Sequence, residues 1–432
     1  MLPLLNLPAN CQRLVIGLSG GVDSVVLLHW AKQQLNCALQ DDSVVLSAIH
    51  VNHQLSPYAQ QWQQQVEALC SQLDIPLVVH SVTVNVAKQG LEQAARQARY
   101  QAFERELQSG DVLAVAHHQN DQAETLLLRL MRGAGVQGLA AMLPERPLGA
   151  GRLWRPLLQC TKASILEYAK QHALKWVEDE SNADTRFSRN YLRHQVVPII
   201  NAHWPQSIHK IAAAAEHAAE AQALLDEYAA VDFTAMGHRA ERCGSSIEIT
   251  ALVALSWSRQ KQLIRFWLKQ QGELPPESRH LEELNKLLHA QSDAQPSLVL
   301  GSYGFSRFQQ RLYLLPSSVI NPIELKPVVF AERCELADGS ELRIEGFSGE
   351  LIVRYREGGE RAHPAGRAHS QTLKKLLQEY QLEPWFRSRI PLIYCGDALI
   401  AVGDLWLQHG AAVACGLPEN TQITVAWVFP RG

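Results

Sequence analysis

Residues 13 to 24 read Arg-Leu-Val-Ile-Gly-Leu-Ser-Gly-Gly-Val-Asp-Ser: an apolar run of β type breaks at Ser19-Gly20-Gly21-Val22-Asp23-Ser24 and gives way to the helical pattern Val25 to Trp30. Two adjacent glycines let the backbone turn tightly and bring its N–H groups close to a polyanion, while the helix that follows points its positive end at the same place. The junction predicts a pyrophosphate-binding loop made of Ser19, Gly20, Gly21, Val22, Asp23 and Ser24, with Ser19 and Ser24 adding hydroxyl donors. Asp23 is the odd member, because a carboxylate beside phosphates is repulsive unless a divalent cation such as Mg²⁺ stands between them. The pattern therefore implies a metal–nucleotide complex. The plainer reading is a glycine turn with a capping Asp or Ser. The Gly-x-x-x-x-Gly-Lys-[Ser/Thr] loop of kinases and GTPases is absent.

Around this junction the first 160 residues alternate short β-rich runs, Leu14 to Leu18, Val44 to Val51, Leu77 to Val84 and Val112 to Ala116, with helical stretches near 24–35, 58–73 and 91–108. Such alternation predicts an α/β fold, a doubly wound parallel sheet with helices on both faces, whose ligands bind beyond the carboxyl ends of the strands. Ser19 to Ser24, His50 to His53 and His117 to Asp121 all follow strands, so they are aimed at one crevice. Near Ser188 the chain turns alanine-rich and helical, through Ile211 to Ala219, with further helix at 251–271 and 276–290. Short strands follow Pro296, Val319 to Val328 with its two prolines reads as a linker, and a last unit of mixed strands and one helix begins near 330. Three domains are expected, 1–187, 188–320 and 321–432. No apolar run approaches the ~20 residues that cross a bilayer, and the N-terminus lacks the basic start of a secretory signal, so a cytoplasmic protein without membrane partners is expected. The eight cysteines, at 11, 37, 70, 160, 243, 334, 395 and 415, include no Cys-x-x-Cys, which offers neither a zinc ribbon nor a redox pair.

Asp121 and Glu124 open a helix whose apolar face is read as Leu126, Leu127, Leu130 and Met131. Three residues apart, the two carboxylates lie on one side of its first turn. They either complement the helix dipole or supply what the loop lacks: a second Mg²⁺ ligand beside Asp23, and a seat for the ammonium of an amine substrate. Arg96 and Arg99, one turn apart on a helix alongside the crevice, are candidates to neutralise a triphosphate as its charge shifts to the leaving pyrophosphate. A solvated helix face is the competing reading. Arg132-Gly133-Ala134-Gly135-Val136-Gln137-Gly138 contains Gly-x-Gly-x-x-Gly but follows a helix instead of a strand, so it reads as a flexible loop that brings Arg132 to a phosphate or base, or as a simple connector. His117 and His118 cannot both join one site from a regular strand, and His50 and His53 stand as further candidates. The acidic turn Glu178 to Asn182, followed by Arg186, Arg189 and Arg193, either caps itself or closes over the site with its arginines on RNA phosphates. In the last unit, residues 354–389 hold eight Lys or Arg against four Glu, with Trp385, Phe386 and three glycines interleaved. That composition suits a nucleic-acid backbone. Arg361, Arg367, Lys374, Lys375 and Arg387 are the candidate contacts.

The hexapeptide resembles the loop of the N-type ATP pyrophosphatases, the PP-loop superfamily. Taken with His50-Val51-Asn52-His53, Ala95 to Tyr100, His117 to Thr125, Arg132 to Leu139, Arg155-Pro156-Leu157-Leu158, Glu178 to Asn182 and Arg189-Asn190, the chain resembles the tRNA(Ile)-lysidine synthase family almost end to end. The resemblance implies a PP-loop, adenine nucleotide α-hydrolase-like sheet, then a helical domain and a small α+β C-terminal domain. It implies ATP and Mg²⁺, with free L-lysine and a tRNA(Ile) bearing a CAU anticodon as partners. A homodimer stays open. The base's 2-carbonyl oxygen is expected to attack the α-phosphate, pyrophosphate to leave, and the lysine side-chain amine to displace AMP. Carried over by position, Ser19 to Ser24 bind ATP, Asp23 and Asp121 hold Mg²⁺, Glu124 meets lysine or metal, and Arg96, Arg99 and Arg132 assist. Asn120 stands where many relatives place Asp, and an amide supplies no anionic ligand. The nearest rival is a PP-loop tRNA-thiolating enzyme, which needs catalytic cysteines or an iron–sulfur triad.

Overall fold

The computed structural model describes residues 2–38, 44–83, 91–180, 184–290, 296–347 and 349–429. The chain divides into two compact units, Met1–Leu224 and Leu225–Gly432.

In the first unit the elements run β1 (Arg13–Gly17), α1 (Val22–Ala38), β2 (Val45–Asn52), α2 (Ala59–Gln72), β3 (Leu77–Ser81), α3 (Leu91–Glu106), β4 (Asp111–Ala114) and α4 (Gln119–Met131). They continue through α5 (Val136–Leu139), β5 (Glu145–Leu148), β6 (Gly151–Trp154), α6 (Lys162–Gln171), α7 (Ser188–Tyr191), a π turn over Leu192–Val196, α8 (Val197–His203) and the start of α9 (Ser207–Thr234). The strands form one sheet in the order β3-β2-β1-β4-β6-β5, parallel except for the antiparallel β5. The expected strands and helices are present. Val84, Ser181 and Asn182 lie outside the described residues, and the β5–β6 hairpin extends the sheet beyond the elements read from the sequence.

Strand β1 carries the fold because both of its faces are apolar. Leu14 and Ile16 enter one core with Val25, Val26, Leu27, Leu28 and Trp30 of α1, Val66 and Cys70 of α2, and Ile165 and Ala169 of α6. Val15, pointing the opposite way, enters another with Ile49, Phe103, Leu107, Leu113 and Leu153. Successive strands step outward from β1 to β3, and β4 then returns to the free side of β1. That reversal opens a crevice beyond the carboxyl ends of β1 and β4, which is where the residues after these strands converge.

In the second unit, β7 (Arg239–Ala240), β8 (Ser245–Glu248), β9 (Ser297–Leu300), β10 (Tyr303–Phe308) and β11 (Arg311–Pro316) make an antiparallel sheet in the order β7-β8-β11-β10-β9. It shares a core around Trp267, Leu284 and Phe305 with the helices Ile249–Val253, Trp257–Gln270 and Ser278–Leu288. From Val328 onward, short antiparallel strands form sheets of five, three and two strands about Leu376, Phe386 and Trp427, with a helix at Leu373–Glu379. Among the described residues no helix is long and apolar enough to cross a membrane.

Candidate active site

The β1–α1 junction owes its shape to one glycine. Gly20 has φ +91°, the left-handed region, and a Cβ there would stand 3.2 Å from Val66 Cγ2, whereas Gly21 has ordinary φ and a Cβ there would make only an ordinary contact with Ser19 Oγ. Ser24, nearly fully buried, closes the turn from within: its hydroxyl donates to the Gly21 carbonyl at 2.9 Å, accepts from the Ser19 amide at 3.1 Å and sits 3.1 Å from Ser19 Oγ. Of the two hydroxyls read as donors, that of Ser24 is directed to the Gly21 carbonyl. Its proton is engaged inside the loop, and Ser19 is the exposed hydroxyl. The first-turn amides of α1 have no helical acceptor and face the mouth of the loop.

Asp23, at the second position of α1, does not stand alone. Lys162, the first residue of α6, donates from Nζ to Asp23 Oδ1 at 2.5 Å. His118 Nε2 lies 3.7 Å from the same oxygen and 3.5 Å from Asp121 Oδ2. The two carboxylates therefore flank a single imidazole nitrogen, on one side of the sheet, as the crevice argument requires. The His118 amide also donates to Asp121 Oδ2 at 3.0 Å, which fixes the start of α4, while its Nδ1 is buried without a partner.

Asp121 and Glu124 are both buried. Arg189 donates to Asp121 at 2.8 Å and to Glu124 at 2.9 Å, and Arg193 to Asp121 at 3.1 Å and to Glu124 at 2.7 and 2.9 Å. These arginines, read either as part of a self-capping junction or as contacts to RNA phosphates, clasp the two carboxylates. Burial alone would raise the Asp121 carboxyl, but His118, Arg189 and His117 outweigh it and bring it down to about 2. The helix face beneath differs from expectation. Leu126 is buried, but Leu130 is 46% and Met131 73% exposed, because α4 packs only its first turns into the domain.

Arg96 and Arg99 lie on the Asp121 side of the crevice, near Arg189 and His117, and have no interaction with Asp23 among the described residues. Arg96 is exposed and Arg99 half-buried. Arg132 is exposed after α4, in a segment tied down where Arg129 donates to the carbonyls of Gly138 and Ala141 at 2.9 and 2.7 Å. His50 Nδ1 meets the Leu18 carbonyl at 2.8 Å and braces the end of β1. His53 is held down to about 4 by burial, with Arg99 and His50 adding to it. His117 receives Arg155 Nε at 3.2 Å. Asn120, excluded from the metal set, accepts the Lys162 amide at 3.3 Å and so helps seat Lys162.

Lys162 is the functional candidate that sequence reasoning passed over. A Thr161 N-cap, accepting the Ser164 amide at 3.1 Å, marked a helix start after the segment that follows β6, and that was the available signal. In the second unit, Arg367 pairs with Glu379 at 2.6 Å, Lys375 lies 3.8 Å from the same residue, Arg361 bonds Ser370, and Arg387 donates to the Leu382 carbonyl. Lys374 is exposed. Cys70 is a core residue and Cys11 lies before β1, at the opposite end from the crevice.

The chain matches the PP-loop domain over residues 3–200, the TilS substrate binding domain over 248–313 and the TilS substrate C-terminal domain over 351–427. The tRNA(Ile)-lysidine synthase of Coxiella burnetii is 38% identical over 411 residues, spanning 91% of this chain and 89% of that protein. The enzyme of the same name from Pseudomonas putida is 39% identical, spanning 96% and 97%, and that from Pseudomonas aeruginosa 42% identical, spanning 90% and 89%. A loop built for phosphates, two carboxylates gathered on one imidazole and relatives this similar along nearly the whole of both chains lead to one conclusion: the chain belongs to the tRNA(Ile)-lysidine synthase family.

Proposed function

We propose that this protein joins free L-lysine to the 2-position of the wobble cytidine of a tRNA(Ile) with a CAU anticodon, cleaving ATP to AMP and pyrophosphate. The observation that carries the proposal is the pairing of a phosphate loop with an acidic first turn across one crevice, in a chain with full-length kinship to lysidine synthases. A pyrimidine carbonyl oxygen is a poor leaving group, so it must be adenylated before an amine can displace it.

In this reading the triphosphate lies on the first-turn amides of α1, where Gly20 permits the close approach and Ser19 adds a hydroxyl. Asp23 and Asp121, hard oxygen donors on either side of the His118 imidazole, suit Mg²⁺, and the structure already sets cations against both, Lys162 on one and Arg189 and Arg193 on the other. Bound there, Mg²⁺ would supply charge neutralisation at the phosphates. The cytidine O2 attacks the α-phosphorus and pyrophosphate departs. Lys162 stands at the loop's mouth to meet the charge that develops. Glu124 then takes the lysine ammonium in place of a guanidinium, which requires Arg189 and Arg193 to turn toward phosphates. Arg96, Arg99 and Arg132 assist from the Asp121 side. In the second unit Arg361, Arg367, Lys374, Lys375 and Arg387 contact the tRNA backbone.

Thiolation is the weaker reading, since the full-length kinship is to lysidine synthases. Incubation with ATP, lysine and a CAU-anticodon tRNA(Ile), followed by nucleoside mass analysis, tests the proposal. Lysine-dependent gain of one lysyl group on a single cytidine is expected. A sulfur substitution, or nucleotide binding without turnover, overturns it.

A further inference from the structure

Tyr100, on α3, stands among four arginines from three segments. The Arg96 guanidinium lies 4.9 Å from the ring centroid, with Nη2 3.4 Å from the phenol oxygen, and the Arg146 guanidinium, from β5, lies 5.4 Å from the same centroid. Arg155, just after β6, is buried and anchored to the Leu143 carbonyl at 2.5 Å and to His117 Nδ1 at 3.2 Å. Arg99 is half-buried one residue before Tyr100. Among the described residues none of these four arginines is paired with a carboxylate.

Like charges gathered in partly desolvated surroundings repel, and rings satisfy guanidinium groups only weakly. The cluster is therefore an incomplete electrostatic structure whose missing member is an anion. Burial raises the Tyr100 phenol, yet Arg96, Arg155, Arg99 and Arg146 together bring it below its ordinary value, a measure of the uncompensated positive field. We infer that Tyr100 with Arg96, Arg99, Arg146 and Arg155 forms a binding site for a backbone phosphodiester of the RNA strand that carries the reacting base. The location favours RNA over the triphosphate. The cluster sits on α3 and the β5–β6 hairpin and, among the described residues, none of its four arginines interacts with Ser19 to Ser24, whereas the phosphate loop meets Lys162 at Asp23. Holding a phosphate next to the target nucleotide fixes the base over the crevice. The inference rests on the tRNA reading above.

The test is fluorescence anisotropy of labelled tRNA(Ile) on the intact protein, titrated across about 50 to 200 mM salt, with nucleotide affinity measured separately using a non-hydrolysable ATP analogue. R146A is expected to weaken tRNA binding ~5–10-fold and to flatten the log–log salt slope by ~0.7–0.9, the release of about one counterion. R146K keeps the slope, Y100F keeps most of the affinity, and analogue affinity is unchanged throughout. An unchanged slope in R146A overturns the inference even if lysidine forms. Loss of analogue affinity with tRNA binding intact overturns it in favour of a triphosphate contact. If the altered slope is found but no lysine enters the tRNA, the phosphodiester site stands and the functional proposal falls.

Discussion

Lys162 Nζ donates to Asp23 Oδ1 at 2.5 Å, joining the first turn of α6 to the first turn of α1 across the mouth of the phosphate loop. The ammonium occupies one side of a carboxylate proposed to hold Mg²⁺, so the two cations compete. K162M is expected to tighten binding of Mn²⁺ to the nucleotide-free protein ~3–10-fold, the size of a partly exposed ion pair, while weakening the ATP analogue. Electron paramagnetic resonance of free Mn²⁺ reads the first effect and calorimetry the second. Movement of both affinities in the same direction would contradict the competition.

The clasp of Arg189 and Arg193 on Asp121 and Glu124 balances two positive charges with two negative ones in a buried setting. E124Q leaves an excess positive charge and is expected to destabilise folding by ~1–3 kcal/mol, with R193Q in the same chain recovering part of the loss. Lysine incorporation should fall ~10²-fold or more in E124Q. Chemical denaturation of the four proteins of the cycle and single-turnover product analysis give these values.

Gly20 and Gly21 are neighbours with different duties. G20A places a Cβ at positive φ and against Val66, and should cost ~1–2 kcal/mol of stability and most of the nucleotide affinity. G21A meets only Ser19 Oγ at 3.6 Å and should leave stability unchanged within ~0.5 kcal/mol. Thermal denaturation with and without the ATP analogue separates them.

Burial, opposed by Asp121 and reinforced by Arg155, Arg189 and Arg96, lowers the His117 imidazole from 6.5 to about 3. The folded protein thus binds fewer protons at this site than the unfolded chain between those values. Its contribution to stability is complete above about 6.5 and is lost as pH falls toward 3. H117N, which keeps an acceptor for Arg155, is expected to show a shallower loss of stability between pH 7 and 5 than the parent. Urea denaturation midpoints across that range provide the comparison.

Lys374 and Lys375 project from the helix Leu373–Glu379, and Lys375 is only loosely tied to Glu379 at 3.8 Å. Replacing both with Ala should weaken tRNA binding ~5–20-fold and reduce the salt slope by up to ~2, leaving nucleotide affinity unchanged. Filter binding at two ionic strengths is sufficient to check it.

Periodicity and turn chemistry are local, and what they encode was legible in order along the chain. The alternation of Leu14, Val15 and Ile16 between two cores, the glycine break after β1 and the acidic opening of α4 place the sheet, the loop and the carboxylates from the order of residues alone. What each charged side chain meets is decided at long range. Lys162 finds Asp23 across 139 residues and Arg189 finds Asp121 across 68, and no local pattern records such a partner. Residue spacing likewise gave Arg96 and Arg99 a face but no neighbour, and only the packing of α3 beside the β5–β6 hairpin gathered Arg146 and Arg155 about Tyr100. Backbone preference and hydrophobic period act over a few residues, so the sequence determined the architecture and the site's ingredients. Coulombic and hydrogen-bond pairing act through space, so only the tertiary structure decided which charges are already compensated and which still await a ligand.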